Sequence, residues 1–228
     1  MFYGFDIYFL ILILPALAFS LYAQYRVWST YHHYAKVRSA SGLTAAQAAR
    51  RLLDRAGLFN VRIEAVPGQL TDHYDPRTKT LRLSDPESRS VAAIGVAAHE
   101  AGHAIQDAHG YAPLMLRSAV VPVANFGSML AFPLFFIGWI TSWYPLMWAG
   151  ILFFTGVVFF TLITLPVEFD ASRRAVQILQ ESGTIVERSE LGAVRKVLNA
   201  AALTYVAAAA MAVLQLIRLL LIARSSQR

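Results

Sequence analysis

Four long apolar stretches divide this chain, and between them the pattern of hydrophobic positions shortens to helical and strand periods. Residues 1–24 carry a single charge, Asp6, residues 119–140 and 145–165 carry none, and residues 200–222 carry only Arg218. A run of about 20 apolar residues matches the hydrocarbon core of a bilayer, so each stretch predicts a transmembrane helix. Trp139, Trp143, Tyr144 and Trp148 surround the turn predicted at residues 141–144, as an aromatic belt would. Pro122, Asn125 and Pro133 interrupt the second stretch, whose freed backbone groups need partners inside protein. The alanine-rich first half of residues 200–222 suits close helix approach. Arg218, Arg224 and Arg228 at its far end complicate a simple crossing, and a tilted, interfacial or re-entrant path is the alternative. The first stretch lacks the positive leader of a signal peptide and reads as a retained anchor. Arg26, Lys36 and Arg38 follow it, which by the positive-inside rule places residues 25–118 in the cytoplasm.

The polar segments have their own texture. Residues 31–39 predict a membrane-proximal helix, with His32 and His33 interfacial. Thr44 and Gln47 form a capping box for a helix over residues 45–56, which buries Ala48, Ala49, Leu52 and Leu53 and stops at Gly57. Residues 61–66 alternate with period two. After a turn at Pro67-Gly68, residues 70–74 and 80–83 flank a hairpin connection at Asp75-Pro76-Arg77-Thr78. A helix over residues 91–106 follows, with Ser84-Asp85-Pro86-Glu87 as its expected start and Gly110 and Pro113 marking its end. The second and third apolar stretches return the chain to the same side. There residues 166–199 predict a helix beginning at Pro166 and stopping at Gly183, then a Thr184–Glu187 capping box.

Composition agrees with a membrane protein: 57% of residues are hydrophobic, 15% are charged, and mean hydropathy is +0.48. The net charge of +6 comes with no nucleic-acid motif, and the basic residues gather beside the apolar spans, where they meet anionic lipid. No cysteine is present, so a metal would have to be held by His, Asp or Glu.

The candidate chemistry lies in the helix over residues 91–106. His99-Glu100-Ala101-Gly102-His103 has the H-E-x-x-H spacing, and residues four apart on a helix share a face. Two imidazoles can then hold one metal while Glu100 acts as general base on an activated water. Glu168, in the first turn of the predicted helix from Pro166, is the expected third ligand. The nearby Asp170 competes for that reading, and either acid could merely complement a helix dipole. His109 falls off the ligand face. His73 and Tyr74, with Asp72, are candidates for the rim, beside a sheet edge that could bind an extended peptide. His73, Tyr74, Arg173 and Tyr205 are candidate oxyanion donors.

VAAHEAGHAIQ, SGLT, LTDHYDPRTKTLRLS, GYAPLMLRSAVVPVAN, TLPVEFDASRRA and NAAALTYVAAA, taken in order, resemble the YugP-like membrane zinc metallopeptidases of bacteria, a group related in plan to the HtpX and Ste24 peptidases. The resemblance implies one zinc ion per chain on His99, His103 and Glu168, with Glu100 catalytic, in a gluzincin-like enzyme of protein quality control. Where the wider HtpX pattern has an Asp four residues after the ligand Glu, this chain has Ser172, so either Ser172 or Asp170 supports the site or the orienting is done elsewhere.

The expected fold is a mainly α integral membrane protein of about four transmembrane helices with a small cytoplasmic zincin-like α+β metallopeptidase domain. The expected function is zinc endopeptidase cleavage of membrane or membrane-associated proteins at the cytoplasmic face of the bacterial membrane. An oligomer or a partner membrane protein is compatible with it. The rival is a non-catalytic metal-binding membrane scaffold. A transporter is disfavoured, because residues 119–165 carry no charge for a midplane site.

Overall fold

Helix dominates the chain, and a small sheet interrupts it between the second and third helices. The computed structural model describes residues 7–226. The start of the first apolar stretch, with Asp6, and the terminal Arg228 lie outside the described residues. A π-helical turn, Phe9–Ile13, leads into α1 (Leu14–Tyr34). Then come α2 (Ala45–Arg55), β1 (Arg62–Ala65), β2 (His73–Asp75), β3 (Thr80–Leu83) and α3 (Val91–Ala108). Three long helices finish the chain: α4 (Ala112–Ile140), α5 (Tyr144–Glu181) and α6 (Arg188–Ser226). The first helical region and these three are long and apolar enough to cross a membrane.

The chain divides into two compact units, one of residues 1–24, 115–166 and 204–228, the other of residues 25–114 and 167–203. The first holds a core of Ala131, Phe135, Met147, Ile151, Phe154, Val158 and Leu219. Glycine sets how closely its helices meet. A Cβ at Gly138 would lie 2.5 Å from the Met147 backbone nitrogen, and one at Gly150 would lie 2.6 Å from the Ala131 carbonyl oxygen. The hairpin between α4 and α5 is tighter than the sequence predicts, because Tyr144 already belongs to α5. Ser142 adopts a positive φ of 56°, and the Trp143 amide bonds the Gly138 carbonyl at 2.8 Å. Arg218 lies over the Phe9 ring, 5.3 Å from its centroid, so a π face meets its charge on the long α6.

The second unit carries the sheet, in the order β1-β3-β2, with β1 parallel and β2 antiparallel to β3. The predicted hairpin forms with its connection shifted by one residue: Asp75 ends β2, and residues 76–79 make the turn into β3. Burial raises the Asp75 carboxyl, but the Thr78 hydroxyl, the Arg77 amide and Arg82 outweigh it and hold that carboxyl below its usual range. The core joins Leu52 and Leu53 of α2, Leu81 and Leu83 of β3, Ile94 and Ala97 of α3, Leu179 of α5 and Val194 of α6. The capping box on α2 is present: the Thr44 hydroxyl accepts from the Gln47 amide, and the Gln47 side chain accepts from the Thr44 amide. Buried Glu190 accepts from Ser39 Oγ at 2.9 Å and from the Ala40 amide at 2.6 Å, tying the chain after α1 to α6.

Several expectations are corrected. The N-cap of α3 is Ser90, whose hydroxyl accepts from the Ala93 amide, rather than the Ser84 region; the Ser84 amide and hydroxyl instead bond the Asp72 carboxylate. Pro166 starts no helix. It lies inside α5, which runs unbroken from the apolar stretch to Glu181. A proline removes one backbone hydrogen bond, a loss that long packed helices absorb. Thr184 does not cap α6: its amide and hydroxyl bond Ser182, while the Glu187 carbonyl accepts the first helical bond from Leu191. Residues 35–39 are not helical, and the strand expected from Leu70 begins only at His73, because Leu70 has a positive φ of 56°.

Candidate metal centre

Small residues on α3 bring the later helices close enough to complete a site. Ala97, Ala98, Ala101 and Gly102 are buried along it, and at Gly102 the space for a side chain is filled by α5. A Cβ there would lie 2.6 Å from the Ala171 carbonyl oxygen. Glu168 precedes Ala171 by about one helical turn, so its carboxylate arrives beside the two imidazoles of α3. Glu168 Oε2 lies 3.1 Å from His99 Nε2 and 3.5 Å from His103 Nε2. The two rings stand nearly perpendicular, with centroids 4.7 Å apart.

The far side of each ring is also engaged. Ser172 Oγ lies 3.1 Å from His99 Nδ1, and Gln106 Oε1 lies 3.0 Å from His103 Nδ1. Gln106 is wholly buried, and its amide nitrogen donates to the Val167 carbonyl at 2.8 Å and to Asp170 Oδ2 at 2.9 Å. Both of those partners only accept, so the amide can face one way alone. Its oxygen must accept from His103, which puts the proton on Nδ1 and leaves the Nε2 lone pair facing Glu168.

His99, Glu100 and His103 offer ligand atoms within 4.8 Å of one another, so Glu100 is a second carboxylate near the rings. Its partner separates it from Glu168. Glu100 Oε2 accepts from the Tyr74 backbone amide at 2.9 Å. Tyr74 pairs with Leu81 across the sheet, and its amide points away from β3, out of the free edge of β2. The Tyr74 hydroxyl donates to Asp107 Oδ2 at 2.7 Å, where Lys79 Nζ also bonds at 2.6 Å, and this fastens the β2–β3 hairpin to the end of α3. Burial and the Asp107 carboxylate push the Tyr74 phenol well above its ordinary pKa, so it stays a donor.

The geometry fits a metal. Bonds of about 2.0–2.1 Å in a tetrahedron set ligand atoms about 3.3 Å apart, close to the 3.1 Å and 3.5 Å that separate Glu168 Oε2 from the two Nε2 atoms. Other expected residues fall elsewhere. His73 is exposed, with Nδ1 on the Thr71 carbonyl. The Asp170 carboxylate is taken by Gln106, Arg173 and Arg174. Arg173 is paired with Asp170, and Tyr205 lies half-buried on α6 in the apolar unit. His109 sits exposed at the end of α3, with Nδ1 on the Ile105 carbonyl.

Residues 9–224 match the model of a family described as "Putative neutral zinc metallopeptidase". The chain belongs to this family. It is 49% identical over 216 residues to the "Putative membrane protease YugP" of Bacillus subtilis (strain 168), an alignment covering 94% of the chain and 96% of that relative. No solved structure matches it. Two residues that organise the site were passed over by sequence reasoning. Gln106 follows His103 by three positions on one helix face, a spacing that could have marked it. Asp107 follows it, and nothing local announces its bond to Tyr74.

Proposed function

We propose that the protein is a membrane-anchored zinc endopeptidase of the gluzincin type that cuts membrane or membrane-associated proteins at the cytoplasmic face. The observation that carries this reading is the convergence of His99 Nε2, His103 Nε2 and Glu168 Oε2, with a second carboxylate, Glu100, held beside them on another partner. Zinc held by the first three groups would polarise the scissile carbonyl and acidify the attacking water. Glu100 takes the proton from that water and delivers it to the leaving amine. Ser172 and Gln106 fix the ring orientations, and Asp170 supports Gln106. The free edge of β2 lies beside Glu100 and suits an extended peptide. Arg26, Lys36 and Arg38 after the first apolar stretch support the cytoplasmic assignment of this unit.

The test is zinc per chain in detergent-purified protein. Wild type and Glu100→Gln should each hold about one zinc, and Glu168→Ala should lose it. A wild type that takes up no zinc from solution would end the proposal. Gln106→Leu removes the acceptor for His103 Nδ1 and leaves the partners of Gln106 unfilled. Zinc affinity should then fall about 10–100-fold, measured by competition with a chelating dye. An unchanged affinity would show that Gln106 serves packing alone.

A further inference from the structure

A second polar site lies away from the imidazoles, between α1 and α6. A pocket of about 360 Å³ is lined by Arg26, Ser29, Thr30, His33 and Tyr34 of α1 and by Lys196 of α6. Arg26, Ser29, Thr30 and His33 follow the helical repeat and share one face of α1. No acidic residue lines the pocket. The Arg26 and Lys196 side chains have neither a hydrogen bond nor an ion pair among the described residues. Several other cations in this unit have acidic partners: Arg50 has Asp54, Lys79 has Asp107, and Arg174 has Asp170. Two cations facing one small space without a counter-anion repel each other, and an anion placed between them removes that cost.

The level of the pocket along the helices identifies the anion. Arg26 lies about 26 Å along the helical rise from Phe9. Lys196 precedes the apolar run that starts at Ala200 by about 6 Å, and that run reaches Arg218 after about 27 Å. Each apolar length is close to a bilayer core of about 30 Å, and each cation stands just past one end of it. Tyr22, Tyr25 and Trp28 are exposed on α1 around Arg26, the aromatic signature of the headgroup layer. The hydroxyls of Thr30 and Tyr34, which also line the pocket, add neutral donors suited to phosphate oxygens.

We propose that this pocket seats the phosphodiester headgroup of an anionic phospholipid, with Arg26 and Lys196 as its charge partners. The proposal rests on α1 and α6 crossing the membrane and not on the metal centre. The test is native mass spectrometry of the full-length protein in detergent, titrated with phosphatidylglycerol or phosphatidylcholine. Wild type should retain one phosphatidylglycerol about 10-fold or more tightly than phosphatidylcholine. The double variant Arg26→Gln, Lys196→Gln should bind both equally, while Arg26→Lys, Lys196→Arg keeps the preference. Zinc content should stay the same in all three proteins, which separates failure here from failure of the peptidase reading. Equal binding of the two lipids by wild type would overturn the proposal, as would a preference that survives in the Gln variant. Inorganic phosphate displacing phosphatidylglycerol at equal concentration would overturn the lipid source and leave a free-phosphate pocket. If the Gln variant does not fold, Lys196→Gln alone is read, with a reduced preference expected and an unchanged one overturning the proposal.

Discussion

Glu100→Gln is expected to lower peptide hydrolysis by about 10³-fold or more while leaving zinc in place. The substitution keeps the shape of the side chain. A Gln oxygen can still accept from the Tyr74 amide, the bond that holds Glu100 now. The three converging atoms of His99, His103 and Glu168 are not altered by it. Only the capacity to take a proton is lost, and proton transfer by a positioned group contributes about 10²–10⁴-fold, required twice per turnover in the proposed reaction. The measurement is turnover of an unfolded model protein by detergent-purified enzyme, beside zinc analysis of the same samples. Turnover within about tenfold of wild type would place the base on another residue.

Gly102→Ala should damage both stability and metal binding, although it touches no ligand. Its new methyl would lie 2.6 Å from the Ala171 carbonyl oxygen, and separations below 3.0 Å do not persist. The helices must therefore part by at least about 0.4 Å at this point. Overpacking of this kind costs about 1–3 kcal/mol, and a backbone oxygen that cannot rotate away puts it near the upper end. Glu168 sits one turn from Ala171 on the same helix. Metal sites tolerate about 0.2 Å of ligand displacement, so the carboxylate would leave bonding range. The expected result is a lower thermal midpoint together with zinc occupancy reduced well below one per chain. Full occupancy at wild-type stability would mean that α5 yields at this crossing without moving Glu168.

The legible parts of this site are those that helical repetition reports. His99 and His103 share a face because they are four apart, and Ser172 was marked by standing four after Glu168. Whether Glu168 or Asp170 meets the imidazoles was not legible, since that depends on the rotation of α5 against α3. Contacts resolve it: Asp170 turns to Gln106 and two arginines, and Glu168 turns to the rings. The apolar runs marked four helices but understated them, because hydropathy fades where a helix leaves apolar surroundings while its backbone bonds continue. That is why α5 passes through Pro166 and α4 begins at Ala112. The parallel pairing of β1 with β3 was hidden for another reason. It joins Arg62 to Thr80 across an intervening turn and strand, and alternation within a strand says nothing of its partner. Ser84 looked like a helix start because Ser and Asp favour turns and caps alike; the structure uses that stretch to hold Asp72.

The bond between Glu100 and the Tyr74 amide has a consequence for timing. That amide is the outward donor of the free β2 edge, the group an added peptide strand would claim. Glu100 and an arriving peptide are thus rivals for one hydrogen. In the resting protein the base is latched to the sheet. In the proposed reaction a peptide docking along β2 would displace this bond and free the carboxylate to accept a proton only when something is present to be cut. On that reading the contact that shapes the edge would also guard against idle reactivity.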